Sequence, residues 1–425
     1  MDEWKEFPRG KLAALLDENR RAYDEAKRRG LKLDLSRGKP SPDVLDLSNG
    51  LLERLDSYYA EDGTDVRNYG VAAGLPECKR LFSDLLGIPA DSMIVGGNSS
   101  LSHMYQVFSV LYLFGPPGHA PWCKRGKVKI LCPCPGYDRH FSVAEDFGAE
   151  LVAVPMTEDG PDMAAVEKLV IDDESVKGIW CVPLYSNPQG VVYSDETVMR
   201  LATMKTAATD FRVFWDNAYG VHHVFEEHKI ADIMKLASEA GNAERVCYFF
   251  STSKLNFPGG GVGLFASGPE NIAQMSAHIS KQTIGYDKII QLRTVRFFGN
   301  AEGIKAHMRK IGDILRPKFE LVLAALERDF AGTGLVKWVK PKGGYFVSID
   351  TLDGCAKRVV ALAKDAGAVL TGAGATYPYK RDPRDSNIRI APTYPSLEEL
   401  RETMALLSLC VRIASAEKLL ETARG

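Results

Sequence analysis

Short apolar runs alternate with amphipathic segments from about residue 93 to residue 266. Seven runs are long enough to be strands: 93–95, 128–131, 151–154, 178–183, 212–215, 246–250 and 263–266. Most are continuously apolar rather than alternating, which is typical of strands that are buried on both faces. Strands that alternate with helices predict a mostly parallel sheet that is covered on both sides.

The pattern changes after about residue 299. A long charged segment, 301–330, has helical spacing, and the stretches W-V-K-P-K-G-G-Y-F-V-S-I and I-R-I-A-P are typical of antiparallel strands. Further helices are predicted at 12–29, at 76–86, near 357–366 and from Leu397 onward. We therefore predict a large α/β domain over 49–299, and a smaller α+β domain built from 1–48 and 300–425.

The composition excludes several classes of function. The 425 residues are 45% hydrophobic and 25% charged, with mean hydropathy -0.14 and a net charge of -2, which does not favour a nucleic-acid or anionic-membrane partner. The first residues lack a signal peptide, and the apolar runs are too short to span a bilayer. The eight cysteines include one close pair, C-P-C, so we expect no zinc site and a reducing, cytoplasmic location.

One stretch, V-C-Y-F-F-S-T-S-K-L-N-F-P-G-G-G-V-G, combines a buried strand, three hydroxyl residues, Lys254 and a glycine-rich loop. A lysine just past a buried strand lies at the carboxyl edge, where α/β sheets bind ligands. Burial lowers the pKa of such an amine, and the neighbouring hydroxyl and backbone donors suit a phosphate. The stretch therefore suggests a Schiff base with pyridoxal 5'-phosphate, although a surface lysine is the simpler alternative.

Other strand ends carry polar groups. Asp216 directly follows F-R-V-F-W and is either a partner for a pyridinium nitrogen or a helix cap. Tyr219 and Asn187 could donate to a phenolate oxygen, although a packing tyrosine and an Asn-Pro turn are plausible alternatives.

Three further motifs have both a functional and a structural interpretation. The sequence G-G-N-S-S resembles an anion site at a helix N-terminus, but it also suits an ordinary N-cap. Tyr137 could stack on a flat ring or simply pack. Arg389 lies between apolar residues and needs an anion, which is either a substrate carboxylate or an internal acid.

In order along the chain, these motifs resemble the fold-type I pyridoxal phosphate-dependent aminotransferases. The resemblance runs from G-K-P near Gly38 to Arg389 through Y-x4-G-L-P, G-G-N-S-S, P-G-Y, N-P-Q-G, D-N-A-Y, S-T-S-K and I-R-I-A-P. It implies an α/β fold whose large domain has a mostly parallel seven-stranded sheet. It also implies a homodimer that shares its active sites and acts on an amino acid and a 2-oxo acid.

The resemblance also implies a role for each matching residue. Lys254 would carry the cofactor and move a proton, and Asp216 would pair with the pyridine nitrogen. Tyr219 and Asn187 would hold the ring oxygen, and Tyr137 would stack on the ring. The phosphate would be held by residues from two loops and one from the neighbouring subunit: Asn98, Ser99, Ser100, Ser251, Ser253 and Tyr69. Substrate contacts would come from Arg389, Gly38 and Asn187.

One feature departs from the family pattern. The loop F-P-G-G-G-V-G lacks the arginine that holds the phosphate in many members, which resembles a divergent subgroup of aspartate aminotransferases grouped with MocR-like proteins. That subgroup suggests aspartate and 2-oxoglutarate as substrates. Four cations are candidates for a distal carboxylate: Arg37, Arg139, Lys281 and Arg293.

Two alternative functions remain open at this point. One is another reaction on the same scaffold, such as β-elimination or decarboxylation. The other is a non-catalytic, pyridoxal phosphate-binding regulatory module, which would be expected to carry a basic DNA-binding domain ahead of this region.

Overall fold

A computed structural model describes residues 3–36 and 38–422 of the chain. In those residues the strands are β1 (Leu33–Leu35), β2 (Met93–Val95), β3 (Lys129–Cys134), β4 (Glu150–Thr157), β5 (Gly160–Pro161), β6 (Val176–Cys181), β7 (Arg212–Asp216), β8 (Val246–Ser251), β9 (Gly263–Ala266), β10 (Val336–Trp338), β11 (Val347–Thr351), β12 (Ala368–Leu370) and β13 (Asn387–Ile390). The α-helices are α1 (Arg9–Arg28), α2 (Pro42–Asp46), α3 (Pro76–Leu86), α4 (Ser100–Phe114), α5 (Asp138–Asp146), α6 (Met163–Val170), α7 (Asp195–Thr203), α8 (Ile233–Glu239), α9 (Pro269–Gln282), α10 (Lys288–Phe298), α11 (Ala301–Phe330), α12 (Ala356–Asp365) and α13 (Leu397–Thr422).

A mixed sheet of eight strands forms the centre of the molecule, in the order β2–β9–β8–β7–β6–β3–β4–β5. Strands β8, β7, β6, β3 and β4 pair in parallel, whereas β9 is antiparallel to both of its neighbours. The predicted α/β class with a mostly parallel sheet is confirmed. The eighth strand, β5, is a two-residue return against β4 that is too short to produce an apolar run.

Both faces of the sheet are buried, which explains its continuously apolar strands. Phe214 belongs to a cluster with residues of α4 and α9, whereas its neighbours Val213 and Trp215 belong to the cluster on the opposite face. Successive side chains of a strand point to opposite faces, so a strand between two helical layers must be apolar throughout.

A second unit contains the antiparallel sheet β10–β11–β13 and the parallel pair of β1 with β12. The N-terminal segment contributes to this unit through α1, where the Tyr23 hydroxyl donates to the carbonyl of Leu362 over 2.9 Å. The division of the chain at residues 49 and 299 stays a prediction.

The boundaries of the long helices follow the predicted pattern closely. The predicted helix 301–330 coincides with α11, and the predicted helix 12–29 begins earlier, at Arg9. Helices α2, α9 and α10 and the short strands β5 and β12 were not predicted. In the part of the chain that the structure describes, none of the helices combines the length and apolar character needed to cross a membrane.

The topology gathers several polar segments at one edge of the sheet. The parallel strands β3, β6, β7 and β8 end at Cys134, Cys181, Asp216 and Ser251, and the carboxyl ends of parallel strands share one edge. Each of these ends leads into one of the motifs that the sequence singles out.

Candidate active site

Lys254 lies at the end of a single 3-10 turn, Thr252–Lys254, that follows β8 directly. Its side chain is partly buried, with Nζ donating to the carbonyl of Gly38 and lying 4.5 Å from the centre of the Tyr345 ring. Burial and, to a smaller extent, the charge of Arg389 lower the pKa of the Lys254 amine from 10.5 to about 8. Near neutral pH, a larger fraction of this amine is therefore neutral, and hence nucleophilic, than of an ordinary lysine.

Asp216 ends β7 and is buried, with 2% of its surface exposed. Its Oδ2 accepts a hydrogen bond from Nε2 of His140 over 2.8 Å, whereas its buried Oδ1 has no partner among the described residues. The helix-cap alternative is wrong, because the next α-helix begins at Ile233 and is capped by Asp232. Asp216 is thus a buried acid with one free oxygen.

His140 is held by aromatic rings on two sides. Its imidazole stacks on Trp180 with ring centres 4.6 Å apart, and it meets the edge of Tyr137 at 4.9 Å. Trp180 lies on β6 and His140 on α5, so the sheet and the helix together orient the imidazole toward Asp216.

Tyr219 lies beside the same acid, three residues further along the chain. Burial, with smaller contributions from Tyr137 and Asp216, raises the pKa of the Tyr219 hydroxyl well above its ordinary range. The hydroxyl therefore stays protonated and can act as a hydrogen-bond donor. The Tyr219 ring stacks on Tyr345 with centres 6.0 Å apart.

His222 completes the surroundings of Lys254. Its ring meets Tyr345 edge-on at 5.4 Å, and neither ring nitrogen has a hydrogen-bond partner among the described residues. Burial and the nearby Lys254 lower the pKa of His222 to about 3, so this imidazole is neutral and adds no charge near the amine.

Arg389 lies on β13 and reaches the edge of the large sheet. Its Nη1 donates to Oδ1 of Asn187 and to Oδ1 of Asp138, each over 3.2 Å, and its Nε donates to Oγ1 of Thr371 over 3.4 Å. The side chain is 7% exposed. Of the two anions considered for Arg389, the internal acid is therefore present, and it is Asp138.

Gly38 lets the backbone beside Lys254 approach the Phe346 ring that lies against Arg389. A Cβ at this position would lie 2.5 Å from Cζ of Phe346, and Phe346 lies 4.8 Å beneath the guanidinium of Arg389. A side chain at residue 38 would push Phe346 away from Arg389. The same glycine provides the carbonyl that accepts from Lys254.

Two loops with hydroxyl side chains lie next to each other beside Lys254. Ser253 donates to the carbonyl of Asn98 over 3.3 Å and interacts with Ser251 over 3.1 Å. Ser99 is the N-cap of α4, accepting from the backbone of Ser102, and Ser100 begins that helix. The N-cap interpretation of Ser99 is thus correct, and the first turn of a 15-residue helix faces the serine loop.

The other predicted residues lie in different parts of the molecule, and Tyr137 contacts His140 of the site described above. Tyr137 is half-buried beside His140 at the start of α5, and Tyr69 is 79% exposed. Arg139 is exposed two residues after Tyr137, Lys281 is exposed near the end of α9, and Arg293 lines a separate pocket with Arg54 and Arg296. Arg37 lies outside the described residues.

Seven residues of this site were not predicted from the sequence: His140, Asp138, Trp180, His222, Thr371, Tyr345 and Phe346. His140 and Asp138 could have been identified from the sequence, because both lie in the P-G-Y-D-R-H motif beside Tyr137. Thr371, Tyr345 and Phe346 have no motif of their own, and only the folded chain brings them to Lys254 and Arg389.

The hydrogen-bonding groups of the site fit a flat heteroaromatic cofactor that carries a phosphate. The free Oδ1 of Asp216 suits a protonated ring nitrogen, Tyr219 offers a protonated hydroxyl, and the α4 N-terminus with its serines suits an anion. Across residues 3–36 and 38–422, no three His, Cys, Asp or Glu side chains are grouped as metal ligands would be.

Comparisons with known proteins agree over almost the whole chain. The family described as aspartate amino-transferase matches residues 8–423. A relative from Mycolicibacterium smegmatis, provisionally named an aminotransferase, is 49% identical over 419 residues, which are 97% of this chain and 98% of its own. The aspartate aminotransferase of Corynebacterium glutamicum is 45% identical, over 97% of this chain and 96% of its own. A crystal structure of an aspartate transaminase from Corynebacterium glutamicum superposes with a TM-score of 0.96 at 45% identity, covering 98% of this chain and 99% of its own.

The lowered pKa of Lys254 leads to a prediction about its reactivity. In the protein without added cofactor, labelling of Lys254 by fluorodinitrobenzene should reach half its maximum near pH 8, because only the neutral amine reacts. Arg389→Gln removes the smaller of the two causes, so the midpoint should move part of the way toward 10.5. Peptide mapping by mass spectrometry, with exposed Lys235 as the reference, provides the measurement; a Lys254 midpoint equal to that of Lys235 would contradict the prediction.

Proposed function

The chain belongs to the aspartate amino-transferase family of fold-type I pyridoxal phosphate-dependent enzymes, and we propose that it transfers an amino group from L-aspartate to 2-oxoglutarate. The observation that carries the proposal is the pairing of a nucleophilic lysine with a buried acid that has one free oxygen. Asp216 ends β7, and Lys254 lies one 3-10 turn beyond the end of the neighbouring strand β8, so both lie at the same edge of the sheet.

Pyridoxal 5'-phosphate fits the groups around these two residues. Asp216 Oδ1 would accept from its ring nitrogen, Tyr219 and the amide nitrogen of Asn187 would donate to its ring oxygen, and Tyr137 would cover its face. The phosphate would lie between the serine loop and the start of α4. When bound, this cofactor draws electrons from the substrate Cα and thereby makes the proton on that carbon acidic.

The side chains then have separate tasks. Lys254 Nζ takes the proton from the substrate Cα and later returns a proton, for which a pKa near neutral pH is well suited. His140 holds Asp216 in one orientation through the hydrogen bond to its Oδ2. The neutral His222 and the Tyr345 ring line the amine without supplying a competing charge.

The substrate is proposed to bind through its carboxylates. Arg389 would hold the α-carboxylate, because a guanidinium offers two parallel donors that match its two oxygens. Arg139 is the proposed partner for the distal carboxylate, since of the three candidates that lie within the described residues, Arg139, Lys281 and Arg293, it is the one beside Tyr137.

A homodimer is part of the same proposal. Tyr69 and Ile284 are 79% and 63% exposed, and their segments meet where Lys288 donates to the carbonyl of Gly70 over 3.0 Å. Tyr286, in the same segment, packs directly on Gly96 in the loop before α4. This exposed surface of Tyr69 and Ile284 beside the loop before α4 supports a second subunit at that position, with Tyr69 reaching the phosphate of the neighbour.

The direct test is a substrate-pair assay. The protein loaded with pyridoxal phosphate should convert aspartate and 2-oxoglutarate to oxaloacetate and glutamate in equal amounts, without ammonia or carbon dioxide. Borohydride should fix the cofactor to Lys254, and Lys254→Ala should fold but lose turnover, whereas Lys235→Ala should retain it. Release of ammonia would indicate elimination, and release of carbon dioxide would indicate decarboxylation; either one would replace the proposed reaction.

Asp216→Asn tests the partner of the ring nitrogen. Asparagine preserves the shape and can still accept from His140, but it no longer holds a proton on the ring. Removing one partner of a buried charge pair costs about 3–5 kcal/mol, which corresponds to roughly a hundred- to a few thousandfold loss of kcat if the whole effect falls on the transition state. Turnover close to wild type would mean that Asp216 only positions His140, and a melting curve for each variant excludes misfolding as the cause.

Arg389→Lys tests the α-carboxylate clamp. Lysine keeps the charge but loses the two-pronged geometry, so KM should rise roughly ten- to hundredfold for amino acids and oxo acids alike, with a smaller change in kcat. Simple amines that lack the carboxylate should be affected little. If Arg389→Lys melts earlier yet keeps its KM, the arginine serves only its internal ion pair.

A further inference from the structure

The hydrogen bonds of Arg389 leave its guanidinium only partly available. The group has five N–H donors, and Nη1 uses both of its own on Asn187 and Asp138. A carboxylate held by two parallel bonds must use Nη2 together with either Nη1 or Nε. Nε lies against Thr371 at 3.4 Å, whereas no described residue accepts from Nη2.

The two partners of Nη1 are not equally replaceable. Asn187 is 3% exposed, and its Oδ1 would lose this hydrogen bond within a buried site. The side chain of Asp138 is 34% exposed and lies in the first turn of α5. A carboxylate released there meets solvent and remains favoured by the helix N-terminus, so Asp138 is the partner that can leave at lower cost.

We infer that Asp138 is a resident competitor for the substrate carboxylate, a negatively charged group that pairs with Arg389 until the substrate replaces it. This inference rests on the proposed role of Arg389 as the α-carboxylate clamp. The ion pair keeps a nearly buried guanidinium neutralised when no substrate is present, which a lone buried charge requires. Each substrate must then displace the Asp138 carboxylate, so Asp138 sets affinity rather than the rate of the chemical step.

Competition at one guanidinium differs from general repulsion between like charges. Local competition acts on the α-carboxylate, which every amino acid and oxo acid carries, and so affects substrates with one or two carboxylates equally. General repulsion by a negative side chain would grow with the charge of the substrate. A monocarboxylate and a dicarboxylate therefore separate the two effects.

The experiment measures binding of propionate and succinate to the holoenzyme by calorimetry. Asp138→Asn keeps an acceptor but removes the charge, and it should tighten the binding of both probes roughly three- to tenfold, as expected for a partly exposed charge-assisted pair. KM for alanine and aspartate should fall by a similar factor, with kcat within about twofold. Asp138→Glu restores the charge and should not tighten binding, and Glu145→Gln removes a charge from the same helix without contacting Arg389 and should change nothing.

Other outcomes overturn the inference in distinguishable ways. Unchanged or weaker binding in Asp138→Asn would show that Asp138 positions Arg389 instead, and tighter binding of succinate alone would indicate general repulsion. If Arg389→Lys weakens both probes while Asp138→Asn changes neither, only the role of Asp138 is wrong. If Arg389→Lys changes neither probe, the clamp itself is wrong, and the inference fails with it.

Discussion

The buried carboxylate of Asp216 is the group on which the arrangement of the site depends. Taking a carboxylate out of water is costly unless hydrogen bonds replace the lost hydration, and His140 satisfies only one of its two oxygens. Several neighbouring side chains and strands position His140 for its hydrogen bond to Asp216. The register of β6 with β7 pairs Trp180 with Phe214, two residues before the acid, and alternate residues of a strand share one face of the sheet. Trp180 then fixes the His140 ring by stacking. The Oδ1 of Asp216 still lacks a hydrogen-bond donor, and the N–H of a cofactor ring would provide one.

The remaining charges are distributed so that the pKa of one amine stays low. Arg389 and Lys254 are both cationic groups, and proximity to Arg389 adds to burial in lowering the pKa of Lys254 to about 8. The Asp138 carboxylate forms an ion pair with Arg389, and the Asp216 carboxylate accepts a hydrogen bond from His140. Neither carboxylate pairs directly with Lys254. A carboxylate at Lys254 would raise its pKa and suppress its reactivity, so the separation of these pairs is as important as their presence.

The sequence predicted those parts of the site that follow from strand ends. Lys254, Asp216 and Asn187 could be expected at one edge because parallel strands end together, and the buried strand around Arg389 implied an anion partner. The identity of that partner could not be predicted, since Asp138 and Arg389 are 251 residues apart and meet only through the docking of β13 beside α5. The same holds for His140 and Asp216, which are 76 residues apart. Local sequence also could not decide between a cap and a binding role: Ser99 is an N-cap, whereas the equally plausible cap at Asp216 does not exist.

The glycine-rich loop lies at the proposed phosphate site and lacks the arginine of the family pattern. Gly263 hydrogen-bonds to Gly96 and Gly97 through its carbonyl and its N–H, each over 2.9 Å, and so joins β9 to the loop before α4. A Cβ at Gly263 would lie 2.8 Å from the carbonyl oxygen of Ser99, so a larger residue would force that loop away. The glycine therefore holds the α4 N-terminus against the serine loop and fixes the positions of the donors. In this chain, close backbone packing would set the geometry of the phosphate site, and backbone N–H groups, serine hydroxyls and the helix dipole would supply its attraction for an anion.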